Sequence, residues 1–315
     1  MPSRDGNGWV RCALGHRHWG RFGAAGLLAF VTSGPVLLQR RTWWSHHGGT
    51  WGLPGGARDS HESALAAALR EAAEECEVPP DAVHPRGVFT DDHGGWSYTT
   101  VLAEAQEPFV VHADDDETDE VAWLPLHDVK GLDLHPGLAA RWPELSRELS
   151  PVTIVIDGAN VVGSRPDGWW RDRAGAAVRL RGELAPLVRQ GITELPEDAR
   201  QALAADHAND EESDRRRTDR GRDDADRAAD GLTRMRWLPD VVLVVEGAAR
   251  PAAAAPDAGP VQVVAAPGSG DDTIAALAAQ TAGRRVVVTA DRELRERCVA
   301  VGAAVTGPSW LFGQL

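Results

Sequence analysis

Lysine is almost missing from this 315-residue chain, cysteine is scarce, and long apolar runs do not occur. The only lysine is Lys130, and no G-x-x-x-x-G-K-[ST] stretch exists, so a P-loop is excluded. No G-x-G-x-x-G follows the apolar run that ends at Asp157, which argues against a dinucleotide-binding unit there. A haloacid-dehalogenase-type phosphatase would need a second aspartate two residues after the first plus a lysine, and residues 151–315 have neither. Cys12, Cys76 and Cys298 are odd in number and far apart, so a disulfide framework is not expected and a reducing cytosol fits best. No apolar run approaches the roughly 18 residues of a membrane span. The start, Met1-Pro2-Ser3-Arg4-Asp5-Gly6, has no signal-peptide core. A cytoplasmic protein without a membrane partner is the expectation.

What is present is acidic. The net charge of −14 argues against a protein that coats nucleic acid electrostatically. Residues 1–150 hold 12 basic and 22 acidic residues, net −10, which leaves 21 and 25, net −4, for the rest. Much of the first excess lies in Glu71 to Glu77 and in Asp114 to Glu120, both reasonable metal-binding surfaces. The length accommodates two ordinary domains.

The first half is organised around residues 56–78. Asp59 with Glu62 reads as a capping box, and Ser63 to Cys76 is rich in strong helix formers. On a helical wheel Leu65, Leu69, Ala72 and Cys76 form a core-facing stripe, with Glu71, Glu74 and Glu75 roughly 120° away. Those glutamates and Glu77 crowd the last turn, the negative end of the helix dipole, with only Arg70 as nearby basic help. A divalent cation is the natural compensation.

The spacing G-x5-E-x7-R-E-U-x-E-E-x-G-U, U being aliphatic, is met at Gly56, Glu62, Arg70, Glu71, Ala72, Glu74, Glu75 and Val78, after the lead-in Trp51-Gly52-Leu53-Pro54-Gly55. This stretch resembles the Nudix box. Glu77 departs from it, standing where the family has a glycine that ends the helix in a left-handed conformation, at a cost of about 1 kcal/mol. The resemblance implies an α/β/α sandwich with a mixed sheet over residues 1–150. It implies Mg2+ or Mn2+ on Glu71, Glu74, Glu75 and the Gly56 carbonyl, and a pairing of Glu62 with Arg70 that braces the loop. The activity implied is hydrolysis of a nucleoside diphosphate linked to another moiety. A carboxylate in the box, or Glu117 or Glu120 further on, would act as general base. Arg40, Arg41, Trp43, Trp44, His46 and His47 precede the box. Arg40 and Arg41 would suit phosphate and Trp44 a base, although both tryptophans could equally belong to the core. Cys12, His16 and His18 could be half of a zinc site, but no second pair follows at finger-like spacing, and they are taken as ordinary loop and strand residues. Strands are expected at Ala24 to Val31, Pro35 to Gln39, Gly87 to Thr90, Ser97 to Ala105 and around Val121 to Leu124, with a closing helix from Leu138 to Leu149.

From Pro151 the pattern changes. Apolar runs at Pro151 to Asp157, Val241 to Glu246, Val261 to Ala265 and Arg285 to Thr289 alternate with helical stretches, which predicts a parallel α/β sheet over residues 151–315. Asp157, Glu246 and Asp291 end such runs, and Asp271 and Asp272 open a helix, so the carboxyl edge of the sheet collects acids suited to Mg2+ or Mn2+. The stretches Ile156-Asp157-Gly158-Ala159-Asn160, Gly270-Asp271-Asp272-Thr273 and Thr289-Ala290-Asp291-Arg292 resemble the NYN branch of the PIN-like nucleases. That resemblance implies metal ligands at Asp157, Asp271, Asp272 and Asp291, an orienting role for Asn160, and RNA as substrate. A non-catalytic RNA-binding or docking module is the alternative. Residues 206–230, dense in Asp, Glu and Arg, read as a solvated or flexible insertion. Together the halves suggest a nucleotide pyrophosphohydrolase fused to a nuclease, or an RNA 5′-end pyrophosphohydrolase acting with it.

Overall fold

The computed structural model describes residues 4–113, 117–201, 231–255 and 259–315. Asp114 to Asp116 and the charged stretch at 206–230 lie outside the described residues. The chain forms two compact units: residues up to 150 with those of the stretch ending at 236, and the remainder.

The first unit begins with a separate hairpin, β1 (Trp9–Arg11) and β2 (Arg17–Trp19). Its main sheet is eight-stranded and comprises β3 (Ala24–Val31), β4 (Pro35–Arg41), β5 (Trp51–Gly52), β6 (Gly55–Ala57), β7 (His84–Asp92), β8 (Ser97–Ala105), β9 (Thr118–Pro125) and β11 (Leu232–Trp237). The order is β11-β7-β8-β3-β4-β5, with β6 on β3 and β9 on β4. Pairing of β3 with β8 is parallel and of β3 with β4 antiparallel, so the sheet is mixed. β3 is buried on both faces, and its two-residue period divides it between two cores. Leu28 and Phe30, with Val36 and Leu38 of β4, pack under helix α2 (Pro136–Leu145) and its Trp142. Ala25, Leu27 and Ala29, with Leu37, pack under helix α1 (Ala64–Cys76) through Ala68, Ala72 and Cys76. β11 is an addition that its charged sequence hides. It lies along β7, whose outer edge would otherwise present unpaired backbone groups, and Met235 reaches the α2-side core.

The helix α1 starts later than its sequence suggests. Ser63 is the N-cap, its hydroxyl accepting from the Ala66 N–H, whereas Asp59 is buried in the entry loop and accepts from Gly6 N at 2.7 Å. Glu62 does reach back to Asp59 N at 3.2 Å, but its carboxylate is held by Arg70, which keeps residues 58–62 as loop. At the other end Glu77 is left-handed (φ 52°, ψ 32°), and its N–H bonds the Ala72 carbonyl. The helix exit therefore has the conformation expected for the glycine it replaces.

The second unit holds a five-stranded, all-parallel sheet in the order β13-β12-β10-β14-β15. Its strands are β10 (Val152–Asp157), β12 (Asp240–Val245), β13 (Gln262–Ala265), β14 (Arg284–Val288) and β15 (Ala304–Thr306). Central β10 is buried at every position, as a continuous apolar run requires. The helices are α3 (Gly158–Gly163), α4 (Arg173–Gln190), α5 (Glu197–Gln201), α6 (Gly270–Gln280), α7 (Arg292–Ala300) and α8 (Pro308–Gln314). Among the described residues no helix is long and apolar enough to cross a membrane.

Phe30→Ala should lower the stability of the first unit by about 3–5 kcal/mol, read as a fall in denaturant midpoint at unchanged slope. Trp43→Ala, at a side chain 81% exposed, should stay within about 0.5 kcal/mol of wild type.

Candidate active site

The box is built around Gly56. A Cβ at this position would lie 2.7 Å from the Glu71 carboxyl, so only glycine lets the carboxylate rest on the backbone of β6. Burial pushes the Glu71 carboxyl above the usual range, more strongly than the Arg70 guanidinium at 2.7 Å lowers it, and neighbouring Glu74 adds to the rise. Glu75 is buried and accepts from Gly55 N at 2.8 Å and from Gln39 Nε2 at 2.9 Å. Gln39 is itself buried, its Oε1 accepting from Cys76 Sγ and from Thr118 Oγ1, both at 3.1 Å. Glu74 is the most open of the set, paired with Arg70 at 3.1 Å and with Arg4.

Arg70 ties the set together. It makes a bidentate pair with Glu62 at 2.7 and 2.9 Å, contacts Glu71 and Glu74, and donates to the Ala57 carbonyl at 3.2 Å. The pairing holds the Glu62 carboxyl below its usual range and raises the guanidinium further above its own. Glu71, Glu74, Glu75 and the Gly56 carbonyl remain as an all-oxygen, negatively charged set in excess of local cations. That donor chemistry fits Mg2+ or Mn2+.

A cavity of about 890 Å³ reaches this site at Leu53 and Gly55 and extends over Tyr98, Arg41, His135, Arg141, Asp91, His93 and Trp96. Burial and Glu75 hold the Tyr98 phenol well above its usual range, so it stays a hydrogen-bond donor. Arg141 grips Asp91 at 2.8 and 2.9 Å. Of the basic and aromatic residues before the box, Arg41 lines the cavity, its Nε donating to the His46 carbonyl at 3.1 Å. Arg40 instead lies 3.5 Å from Glu120, both about half exposed. Trp44 is outward-facing rather than in the cavity, as is Trp43, because the turns closed by Ser45 N to Thr42 O and Gly48 N to Ser45 O bring His46 and His47 in instead. Glu117 is exposed. Gln39, Tyr98 and Arg141 carried no motif and became visible only in the fold.

Residues 20–146 match the family model of the NUDIX domain. "Putative 8-oxo-dGTP diphosphatase 3" of Mycobacterium tuberculosis is 42% identical over 162 residues, covering 48% of this chain and 73% of that protein. The chain belongs to the Nudix family. A "Nucleoside triphosphate pyrophosphatase/Nudix hydrolase fusion protein" of Bifidobacterium longum is 41% identical over 154 residues, 46% of this chain but only 32% of that relative's length. The crystal structure of a Nudix hydrolase from M. Smegmatis, RenU, is 45% identical, covers 44% of this chain and 92% of that one, and superposes with a TM-score of 0.42.

Beyond the Nudix domain, the second unit has its own group of acids. Asp157 is buried, caps α3 through Asn160 N at 3.0 Å and accepts from Thr289 Oγ1 at 2.8 Å. Burial, and then Glu246 and Asp291, push its carboxyl up. Asp271 is raised likewise, first by burial and then by Asp157, Asp291 and Glu246, so these side chains share one region at the carboxyl edge of the sheet. Asp272 does not join them: it is directed at Arg297, 2.8 Å away. Asn160 accepts from Ala290 N at 3.0 Å and so ties the β10 and β14 ends together. Glu246 braces the loop before α6 by accepting from Gly270 N at 2.6 Å.

Gln39→Leu should cost the Nudix domain about 1–3 kcal/mol, because buried Glu75 loses a donor, and chemical denaturation would measure it. A pH effect follows from His135, whose Nδ1 accepts from Gly137 N at the start of α2. Burial, then the adjoining His47, lowers it from 6.5 to about 3. The unfolded chain therefore takes up this proton first, so the contribution is complete above 6.5 and lost progressively as pH falls towards 3. Melting curves between pH 7.5 and 5 should show a decline of about 1 kcal/mol per pH unit below 6.5, reduced in His135→Gln.

Proposed function

We propose that the Nudix domain is a pyrophosphohydrolase that cleaves a nucleoside diphosphate linked to another moiety, an NTP, dNTP or related nucleotide. The observation that carries this reading is the Glu62–Arg70 brace gathering Glu71, Glu74 and Glu75 about Gly56, next to Leu53 and Gly55, which line a cavity of about 890 Å³. Clefts of that size suit a nucleotide. A divalent ion, when bound, supplies positive charge for the diphosphate and activates water. The chain's residues do the rest. Arg70 and Glu62 set the loop, Gly55 and Gln39 aim Glu75, and Glu74, the most open carboxylate, would accept the proton of the attacking water. Glu120 is the second candidate base. Arg41, which lines the cavity, would meet phosphate, while Trp96 and Tyr98 would offer aromatic surface to a base. The name of the mycobacterial relative puts oxidised dGTP first among the substrates to try.

In the second unit we propose a metal-dependent NYN/PIN-like ribonuclease site. It would use Asp157, Asp271 and Asp291, with Glu246 and Asn160 as supports and no part for Asp272. The raised carboxyls of buried Asp157 and half-buried Asp271, each pushed up first by burial and then by its acidic neighbours, support a cation site, and the position at the carboxyl ends of parallel strands supports a ligand site. The net charge of −14 favours a small nucleotide over RNA as the Nudix substrate, so 5′-end removal from RNA is ranked second.

Mg2+-dependent release of phosphate or pyrophosphate should be measured on dNTPs, oxidised dNTPs, ADP-ribose, NAD, dinucleoside polyphosphates and 5′-triphosphorylated RNA. Turnover of a small nucleotide that falls about 100-fold or more in Glu74→Gln is the expected result. Turnover of the RNA alone would replace it with the second ranking, and unchanged turnover in Glu74→Gln would discard the assignment of that residue. Asp157→Asn should abolish Mn2+-dependent cleavage of single-stranded RNA while leaving nucleotide hydrolysis intact. No cleavage by the folded wild-type chain would point to the docking module instead.

A further inference from the structure

Cys12, His16, His18 and His93 meet at the hairpin end of the first unit, apart from the glutamate site, and one ligand atom from each lies within 4.8 Å of all the others. Cys12 follows β1, and its turn is closed by Cys12 N to His16 O and Gly15 N to Cys12 O, both 3.0 Å. His93 arrives from the β7–β8 turn, which is held against the hairpin by Ala13 N to Gly94 O at 2.8 Å and Trp96 Nε1 to Trp19 O at 3.2 Å. The His18 ring stacks flat on Trp96 at 3.8 Å and meets the His93 ring edge-on at 4.8 Å.

Separate observations point to an ion in this group. His93 is only 4% exposed, yet its Nδ1 has no hydrogen-bond partner, and neither does the buried Nε2 of His18. Buried polar atoms left this way are rare and costly. The other His93 nitrogen, Nε2, lies 3.4 Å from Asp91, which Arg141 grips in turn. A carboxylate behind a histidine in this manner selects the tautomer whose opposite nitrogen carries a free lone pair, as it does for metal ligands.

A thiol with three imidazoles is a soft-to-borderline donor set, unlike the all-oxygen set of the glutamates, and it favours Zn2+ over Mg2+. Tetrahedral zinc, with bonds of about 2.0–2.3 Å, would need only a modest inward movement of these atoms. We propose that Cys12, His16, His18 and His93 form a structural zinc site. Four protein ligands close the coordination shell and leave no position for substrate, so the ion acts as a staple. A two-stranded hairpin is marginal by itself. Zinc would fasten β1–β2 to the β7–β8 turn and thereby fix the cavity wall made by His16, Arg17, His18 and Trp96.

The test uses the full chain incubated with zinc, passed through metal-free buffer and analysed by plasma mass spectrometry. About one zinc per chain is expected. Co2+ in its place should give the visible bands of a tetrahedral ion and a thiolate-to-cobalt charge-transfer band. Cys12→Ser and His93→Ala should each weaken zinc binding by about 100-fold or more, and Cys12→Ser should remove the thiolate band. Glu74→Gln and His135→Gln should keep full occupancy, which separates this site from the glutamates and from the His46–His47–His135 group. Circular dichroism checks that each variant is folded, and the cobalt spectrum of the unmutated chain decides the matter even if one is not. A chain that retains no zinc, a cobalt spectrum without a thiolate band, or zinc lost in His135→Gln but kept in Cys12→Ser would overturn the proposal.

Discussion

Arg70 is the residue on which the Nudix site depends. One guanidinium spans Glu62, Glu71, Glu74 and the Ala57 carbonyl, joining the entry loop to the second half of α1. Without it, carboxylates on the last turns of a helix would repel one another at the negative end of the helix dipole. A single cation cannot neutralise them all. Burial keeps the Glu71 carboxyl raised although Arg70 touches it, and neighbouring Glu74 adds to the rise.

The fold provides the matching support from below. Because β3 sends alternate residues to opposite faces, α1 can rest on Ala25, Leu27 and Ala29 while α2 covers Leu28 and Phe30. Small residues beneath α1 let it approach the sheet closely enough for Glu71 to lie on Gly56 and for Glu75 to reach Gly55 N. Gln39 completes the arrangement. Its amide joins the buried face of β4 to Glu75, so the carboxylate is oriented by the core rather than by solvent.

Both units gather acidic side chains, by different means. In the Nudix domain the acids come from successive turns of one helix and are compensated by an arginine. In the second unit they come from the ends of separate parallel strands and the start of a helix, and Asp157 is held by Thr289 and a backbone N–H. Asp272 falls out of that group because neighbouring positions on a helix point about 100° apart, which leaves it facing Arg297. Trp44 points away from the cavity for a similar reason. Position in the chain placed it near the box, but the turn after β4 reverses which side chains face the cavity.

The sequence alone determined whatever depends on short, regular spacing. The Nudix box, the strands at Ala24–Val31 and Ser97–Ala105 and the parallel pattern after Pro151 were all legible, because each is governed by residues within a turn or two of one another. The tertiary structure decided what depends on distant segments meeting. The capping box gave way to Ser63, since Glu62 is taken by Arg70. Leu232–Trp237 joined a sheet begun by residues far earlier in the chain. Gln39 found Glu75, and His93 came beside Cys12, His16 and His18. No local period encodes such meetings, because they follow from which buried groups need a partner once the sheet has closed.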